Sequence, residues 1–244
     1  LSIYAKGERP SGSSDPYALR RAGNGVLLIL WNRGWKLDLN GFLAKAVEAW
    51  KELFPAFAVD TVQLASDLSA LLRQRITSQL EDDGYAADLV QAVAGETVST
   101  TRLLQDPMDV RVRIELLRGL RDQGRLTAVQ AVVQRASRLA EKGDLPLGVL
   151  SSTDVVDPSR FESASEQGLF DATTRLNPLA ASGSYQELCD VLVDSTPALE
   201  AFFDGDQSVM VMADDLALRT NRLNLLAVLR NQAAVLAQFE LIQN

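Results

Sequence analysis

The sequence contains no histidine and a single cysteine among its 244 residues. Without histidine there is no Ser-His-Asp or Cys-His activation of a nucleophile, and no metal site that needs an imidazole ligand. The lone Cys189 cannot close an intramolecular disulfide, which suits a reducing compartment. It stands in YQELCDVLV, an amphipathic helical pattern, and reads as a small buried residue. Phosphate-cradling P-loops, GxGxxG turns and CxxC pairs are also missing. Gly25 to Trp31 is the longest strongly apolar run, far short of the roughly 20 residues that a membrane-spanning helix needs. No signal-peptide pattern opens at Leu1. These features predict a cytoplasmic protein with no membrane partner. Carboxylate-only magnesium chemistry is left open by Asp82/Asp83 and Asp214/Asp215. Both pairs flank helical runs, where acidic residues also serve as helix-end charge.

What is present is enough to build cores: 47% of residues are hydrophobic and 23% charged, close to globular averages. The periodicity is helical throughout, with no alternating strand pattern. Asp15-Pro16 predicts a helix start with Asp as N-cap, running to about Arg33 and ended by Gly34. Further helices are expected near 39–53, 60–81 and 86–94. Asp106-Pro107 opens one that ends near Gly124. Thr127 and Gln130 read as a capping box for a helix closing at Gly143. After a loop-rich stretch, 144–162, helices are expected near 163–176, 183–193, 197–204 and 213–241. The polar stretch Gly95 to Thr101 suggests a boundary, giving domains 1–97 and 98–244. The expected fold is all-α, as two helical bundles of antiparallel helices.

The formal net charge of −8 is unevenly spread: −2 over residues 1–100, +4 over 101–142, −12 over 143–215 and +2 over 216–244. Two basic helical segments therefore bracket an acidic one. A polyanion could dock on the basic helices, or the basic helices could pair against the acidic surface. At 100° per residue, Val129, Val132, Val133, Ala136, Leu139 and Ala140 share one side of the 127–142 helix. Arg135, Arg138 and Lys142 fall together on a separate face, a stripe of the kind that tracks phosphates. In the last helix Leu218, Leu225, Leu229, Ala233 and Leu236 define the apolar side. Thr220, Asn224, Asn231 and Gln238 define the polar side. Arg219 and Arg230 lie at the edge of the apolar arc. Arg222 projects from within it, where an arginine is expected to be paired with a carboxylate or packed along its stem.

Two stretches carry a resemblance. DPYALRRAGNGVLLIL, Asp15 to Leu30, resembles a motif of the bacterial glycyl-tRNA synthetase β subunit. AFFD, Ala201 to Asp204, followed by VMVMADDLALRTNRLNLLAVLR, Val209 to Arg230, resembles the motif near that subunit's C-terminus. Weaker similarity runs between them, as around RASRLAEK, Arg135 to Lys142. The family's tetramer has two α and two β subunits. The resemblance implies that ATP and Mg²⁺ act at the α subunit, that no cofactor belongs to this chain, and that the chain alone is inactive. It implies partnership with glycine tRNA and the α subunit. Residues 1–97 would be the end of a helical domain related to HD phosphohydrolases. Residues 98–244 would be a helical anticodon-binding domain similar to that of arginyl-tRNA synthetase. Arg135, Arg138, Lys142, Arg219 and Arg230 are then the candidate tRNA contacts. GDQS, Gly205 to Ser208, looks like an insertion and predicts a longer loop.

Two other readings compete. A helical protein-interaction scaffold predicts no salt-sensitive affinity for RNA. A remnant metal phosphohydrolase is disfavoured by the missing histidine.

Overall fold

The computed structural model describes residues 1–243. Among them it has twelve α-helices, two short 3₁₀ turns and no β-strand, so the chain is all-α. It divides into two compact units, Leu1–Ile114 and Glu115–Asn244. The division falls inside one helix, and residues 98–114, grouped from sequence with the second domain, belong to the first unit.

The first unit holds α1 (Ser2–Ala5), α2 (Leu19–Arg33), α3 (Leu39–Leu53), α4 (Thr61–Asp82), α5 (Ala87–Ala94), α6 (Thr100–Gln105) and the start of α7 (Pro107–Asp122). The longest, α4, is its spine. Leu64, Leu68, Leu72, Ile76 and Leu80 recur every fourth position and are buried, a stripe against which α2, α3, α5 and α6 pack. Asp60 starts α4 by accepting the amides of Val62 at 2.9 Å and Gln63 at 3.1 Å, which satisfies two of the helix's orphan N–H groups.

Asp15 does cap α2, but from further out than the sequence predicts. Its carboxylate accepts from Leu19 N at 2.8 Å and Arg20 N at 3.0 Å. Residues 15–18 make a turn in which Ala18 adopts φ +55, so the helix begins three residues later than expected. Gly34 closes α2 at φ +64, a left-handed conformation that glycine adopts without a Cβ clash.

Helix α6 was not expected from sequence. Its TTRLLQ segment is too short and too rich in threonine to signal a helix by itself. Tertiary contacts hold it: Leu103 and Leu104 are fully buried, and Asn40 Nδ2 donates to Thr101 O at 2.8 Å.

The second unit holds the rest of α7, then α8 (Leu126–Ala140), α9 (Ser152–Val155), α10 (Ala164–Ser182), α11 (Tyr185–Phe203) and α12 (Leu216–Ala233). Helices α10 and α11 form a hairpin that turns at Gly183, φ +71. Each contains a proline, Pro178 in α10 and Pro197 in α11. Where the sequence suggested a helix near 183–193 and another near 197–204, there is one helix running through Pro197.

Helix α12 packs on α8 and α10 and, past its exposed first turn, is buried almost all round from Asn221 onward. It ends at Ala233. A turn and the 3₁₀ segment Phe239–Leu241 follow it, so the helix is shorter than the 213–241 expected. The capping box at Thr127 does not form either. Helix α8 starts at Leu126 without a side-chain cap. Gln130 is buried and donates instead to Ile242 O at 2.6 Å; the amide side chain satisfies a buried carbonyl rather than a helix end.

Candidate nucleic-acid interface

Helix α8 buries Val129, Val132, Val133, Ala136 and Ala140, the side its periodicity assigned to the core. Arg135 and Arg138 are exposed on the opposite side, and Lys142 is exposed in the turn that follows α8. Among the described residues, Arg138 and Lys142 enter no ion pair and no side-chain hydrogen bond. Two of the three predicted basic residues are therefore free cations on a solvated face. The third is engaged: Arg135 Nη1 lies 2.6 Å from Asp204 Oδ2, Nη2 donates to Phe203 O at 3.3 Å, and the guanidinium sits 4.6 Å from the Phe203 ring centroid.

The two candidates on α12 are half-buried. Arg219 Nη1 donates to Ala213 O at 3.3 Å. Arg230 donates to Asn231 Oδ1 at 2.9 Å and to Leu145 O at 3.3 Å. Burial lowers the pKa of Arg230, opposed by the nearby charges of Glu141 and Glu240.

The polar residues of α12 do not face solvent as a stripe. They tie down the long 144–162 segment. Asn221 accepts from Asp157 N at 2.7 Å and donates to Asp157 O at 3.0 Å. Asn224 donates to Val155 O at 2.9 Å and Asn231 to Pro146 O at 2.8 Å. Gln232 donates to Leu150 O at 3.2 Å and to Thr173 O at 3.0 Å. A segment with little helix of its own thus has its backbone carbonyls satisfied by side chains of a neighbouring helix.

Arg222 is the structural residue its position predicted. It is 4% exposed, and Glu166 opposite it is fully buried. Arg222 Nε donates to Glu166 Oε1 at 2.8 Å, Nη2 to Glu162 Oε2 at 2.9 Å, and Nη1 to Met210 O at 3.1 Å. Burial opposes the guanidinium charge, but the hydrogen bonds to Glu166 and Glu162, with their charges, raise its pKa above the ordinary arginine value. Glu166 has a second task as the third residue of the capping box of α10. Its Oε2 accepts the amides of Glu162 at 2.7 Å and Ser163 at 3.0 Å. One carboxylate thereby fixes the start of α10 to the middle of α12.

One member of each acidic pair has a structural partner. Asp215 caps α12 by accepting from Leu218 N at 2.9 Å, and the backbone bonds of Leu218 and Ala217 lower its pKa. Asp83, just after α4, pairs with Arg111 at 2.9 Å. The predicted Gly205–Ser208 loop is a turn, Ser208 N to Gly205 O at 3.1 Å, pinned by Ser163 Oγ donating to Gln207 O at 2.9 Å.

Sequence reasoning missed Phe203 and Asp204 as neighbours of Arg135. It also missed Glu166 as the partner of Arg222. The Ser163–Glu166 spacing is itself a capping-box signal and could have flagged Glu166. Nothing in the sequence places Asp204 beside Arg135.

Comparison with known proteins gives the class. Residues 1–95 match the family model described as "Glycyl-tRNA synthetase beta subunit". Over 98% of its length the chain is 41% identical to the glycine–tRNA ligase beta subunit of a Picosynechococcus species and 42% identical to that of Acaryochloris marina, covering 34% of each. Over its whole length it is 32% identical to the same subunit of Vibrio vulnificus, again covering 34% of it. The chain thus spans about a third of the length of the curated relatives it matches. The matches are thus to subunits of one class, the aminoacyl-tRNA synthetases. Along 98% or more of its length the chain is similar to about a third of the glycine–tRNA ligase beta subunit.

Proposed function

We propose that this chain is the tRNA-binding, anticodon-recognising portion of a glycine–tRNA ligase β subunit. An α subunit, in an α₂β₂ assembly, would activate glycine with ATP and Mg²⁺. The observation that carries the reading is two exposed cations, Arg138 on the solvated side of α8 and Lys142 in the turn after it, unpaired among the described residues and within the segment of highest positive charge. Their heads are free to meet phosphate oxygens, contacts that position an RNA without reading its sequence. Arg135 adjoins them, and Arg219 and Arg230 are the less exposed members of the proposed set. The names of the relatives support the assignment to glycine and its tRNA.

The test is the salt dependence of tRNA binding by the chain and by its Arg138→Ala/Lys142→Ala variant. Each neutralised phosphate contributes about 0.7–0.9 log units of affinity per decade of salt. The double variant is expected to bind all tRNAs more weakly and to flatten the slope by about 1.5 units, with the melting temperature nearly unchanged because both residues are exposed. An unchanged slope in a folded variant would move the RNA to another surface.

A further inference from the structure

Next to the free cations, α8 and the last turn of α11 enclose an open concavity of about 220 Å³ lined by Ala131, Val132, Arg135, Glu200, Phe203 and Asp204. Its chemistry differs from that of a phosphate site. Arg135, its one cation, already faces the Asp204 carboxylate at 2.6 Å. Glu200 is exposed and enters no ion pair among the described residues, so a phosphate arriving here would meet uncompensated negative charge.

The features that are preorganised suit a flat, neutral group. Contacts to Asp204 Oδ2, Phe203 O and the Phe203 ring hold the Arg135 guanidinium in place. The side chain is nonetheless 48% exposed, which leaves an accessible aromatic–guanidinium platform. Unstacked RNA bases pack on such aromatic and guanidinium planes. The two carboxylates at the rim can only accept hydrogen bonds, and a carboxylate pairs well with an exocyclic amino group of a base.

We propose that this concavity is a base-stacking pocket. An unpaired RNA base carrying an exocyclic amine packs against the Arg135–Phe203 platform and donates to the Glu200 or Asp204 carboxylate, while Arg138 and Lys142 hold the neighbouring phosphates. The inference rests on the tRNA-binding reading above and deepens it, because it assigns base contact to a place that charge alone would give to backbone.

The experiment titrates the full chain and its Phe203→Leu and Phe203→Trp variants with glycine tRNA across a range of salt. All three native tryptophans, Trp31, Trp35 and Trp50, lie in the first unit, so a tryptophan at 203 adds a local probe, read as the difference from the parent titration. Phe203→Leu is expected to weaken binding by about 5- to 150-fold, the range for losing one stacked base, with the salt slope unchanged. Phe203→Trp is expected to bind like the parent and to lose fluorescence as the RNA binds. If the parent binds tRNA but the leucine variant binds equally well and the added tryptophan is not quenched, the pocket is refuted and the tRNA-binding reading stands. If the parent does not bind tRNA, both fall. Should the leucine variant fail to fold, the quench in the tryptophan variant decides alone.

Discussion

Replacing Arg222 tests whether the second unit depends on one buried charge pair. In Arg222→Met the stem is kept as apolar volume and the guanidinium is lost. Glu166, fully buried, then retains only the two backbone amides of its capping box, Glu162 N and Ser163 N. The Met210 carbonyl also loses its donor. Removing one partner of a buried ion pair typically costs about 3–5 kcal/mol, because the other charge stays behind unpaired. Against a domain stability of about 5–15 kcal/mol this is a large fraction. Glu162, whose side chain is 66% exposed, adds little, since solvent-exposed pairs contribute about 0–1 kcal/mol.

The assay is urea unfolding followed by far-ultraviolet circular dichroism. Tryptophan fluorescence would follow the first unit alone, and two units can unfold in separate steps. Adding Glu166→Gln to Arg222→Met removes the stranded charge while an amide oxygen still accepts at the start of α10. The double variant is therefore expected to be more stable than Arg222→Met alone, a non-additivity that only coupled residues show. A single variant within about 1 kcal/mol of the parent, or a double variant that is simply the sum of two losses, would show that Glu166 is not stranded by the loss of Arg222.

Two further outcomes follow from other sites. Burial, reinforced by Asp190, pushes the Cys189 thiol up to about 12, so a thiol reagent at pH 8 should leave the folded chain unlabelled and modify it only as urea unfolds the second unit; prompt labelling without urea would contradict this. Asp215→Ala should destabilise α12 at neutral pH. Because the folded pKa of Asp215 is lowered from 3.8, its contribution is present above that value and is lost as pH falls through the folded pKa. The difference between parent and variant melts should shrink in strong acid, and a difference that persisted there would show that the cap acts through something other than its charge.

The helical fold was legible because it follows from local periodicity. The buried face of α8 was readable from Val129, Val132, Val133 and Ala136, as was the stop of α2 at Gly34. What could not be read depends on partners remote in sequence. Gln130 looks like a capping residue until Ile242 O takes its amide. Asn231 reads only as part of the polar side of the last helix until Pro146 O is found against it. The burial of Arg222 was predictable from its helical phase, but its partner Glu166 was not identified. The basic stripe was visible as a pattern, yet Arg135 differs from Arg138 only through Asp204 and Phe203, which the fold brings to it.

Recognition of tRNA by this chain is tested most directly by its binding to glycine tRNA at several salt concentrations, beside the same tRNA with a changed anticodon. Binding is expected to be salt-sensitive and to weaken when the anticodon is altered, with the same salt slope for both RNAs because the phosphate contacts are shared. Absence of salt-sensitive binding would contradict tRNA recognition by this chain and favour a helical interaction scaffold. Equal affinity for the two RNAs would leave the chain holding the RNA backbone without reading the anticodon.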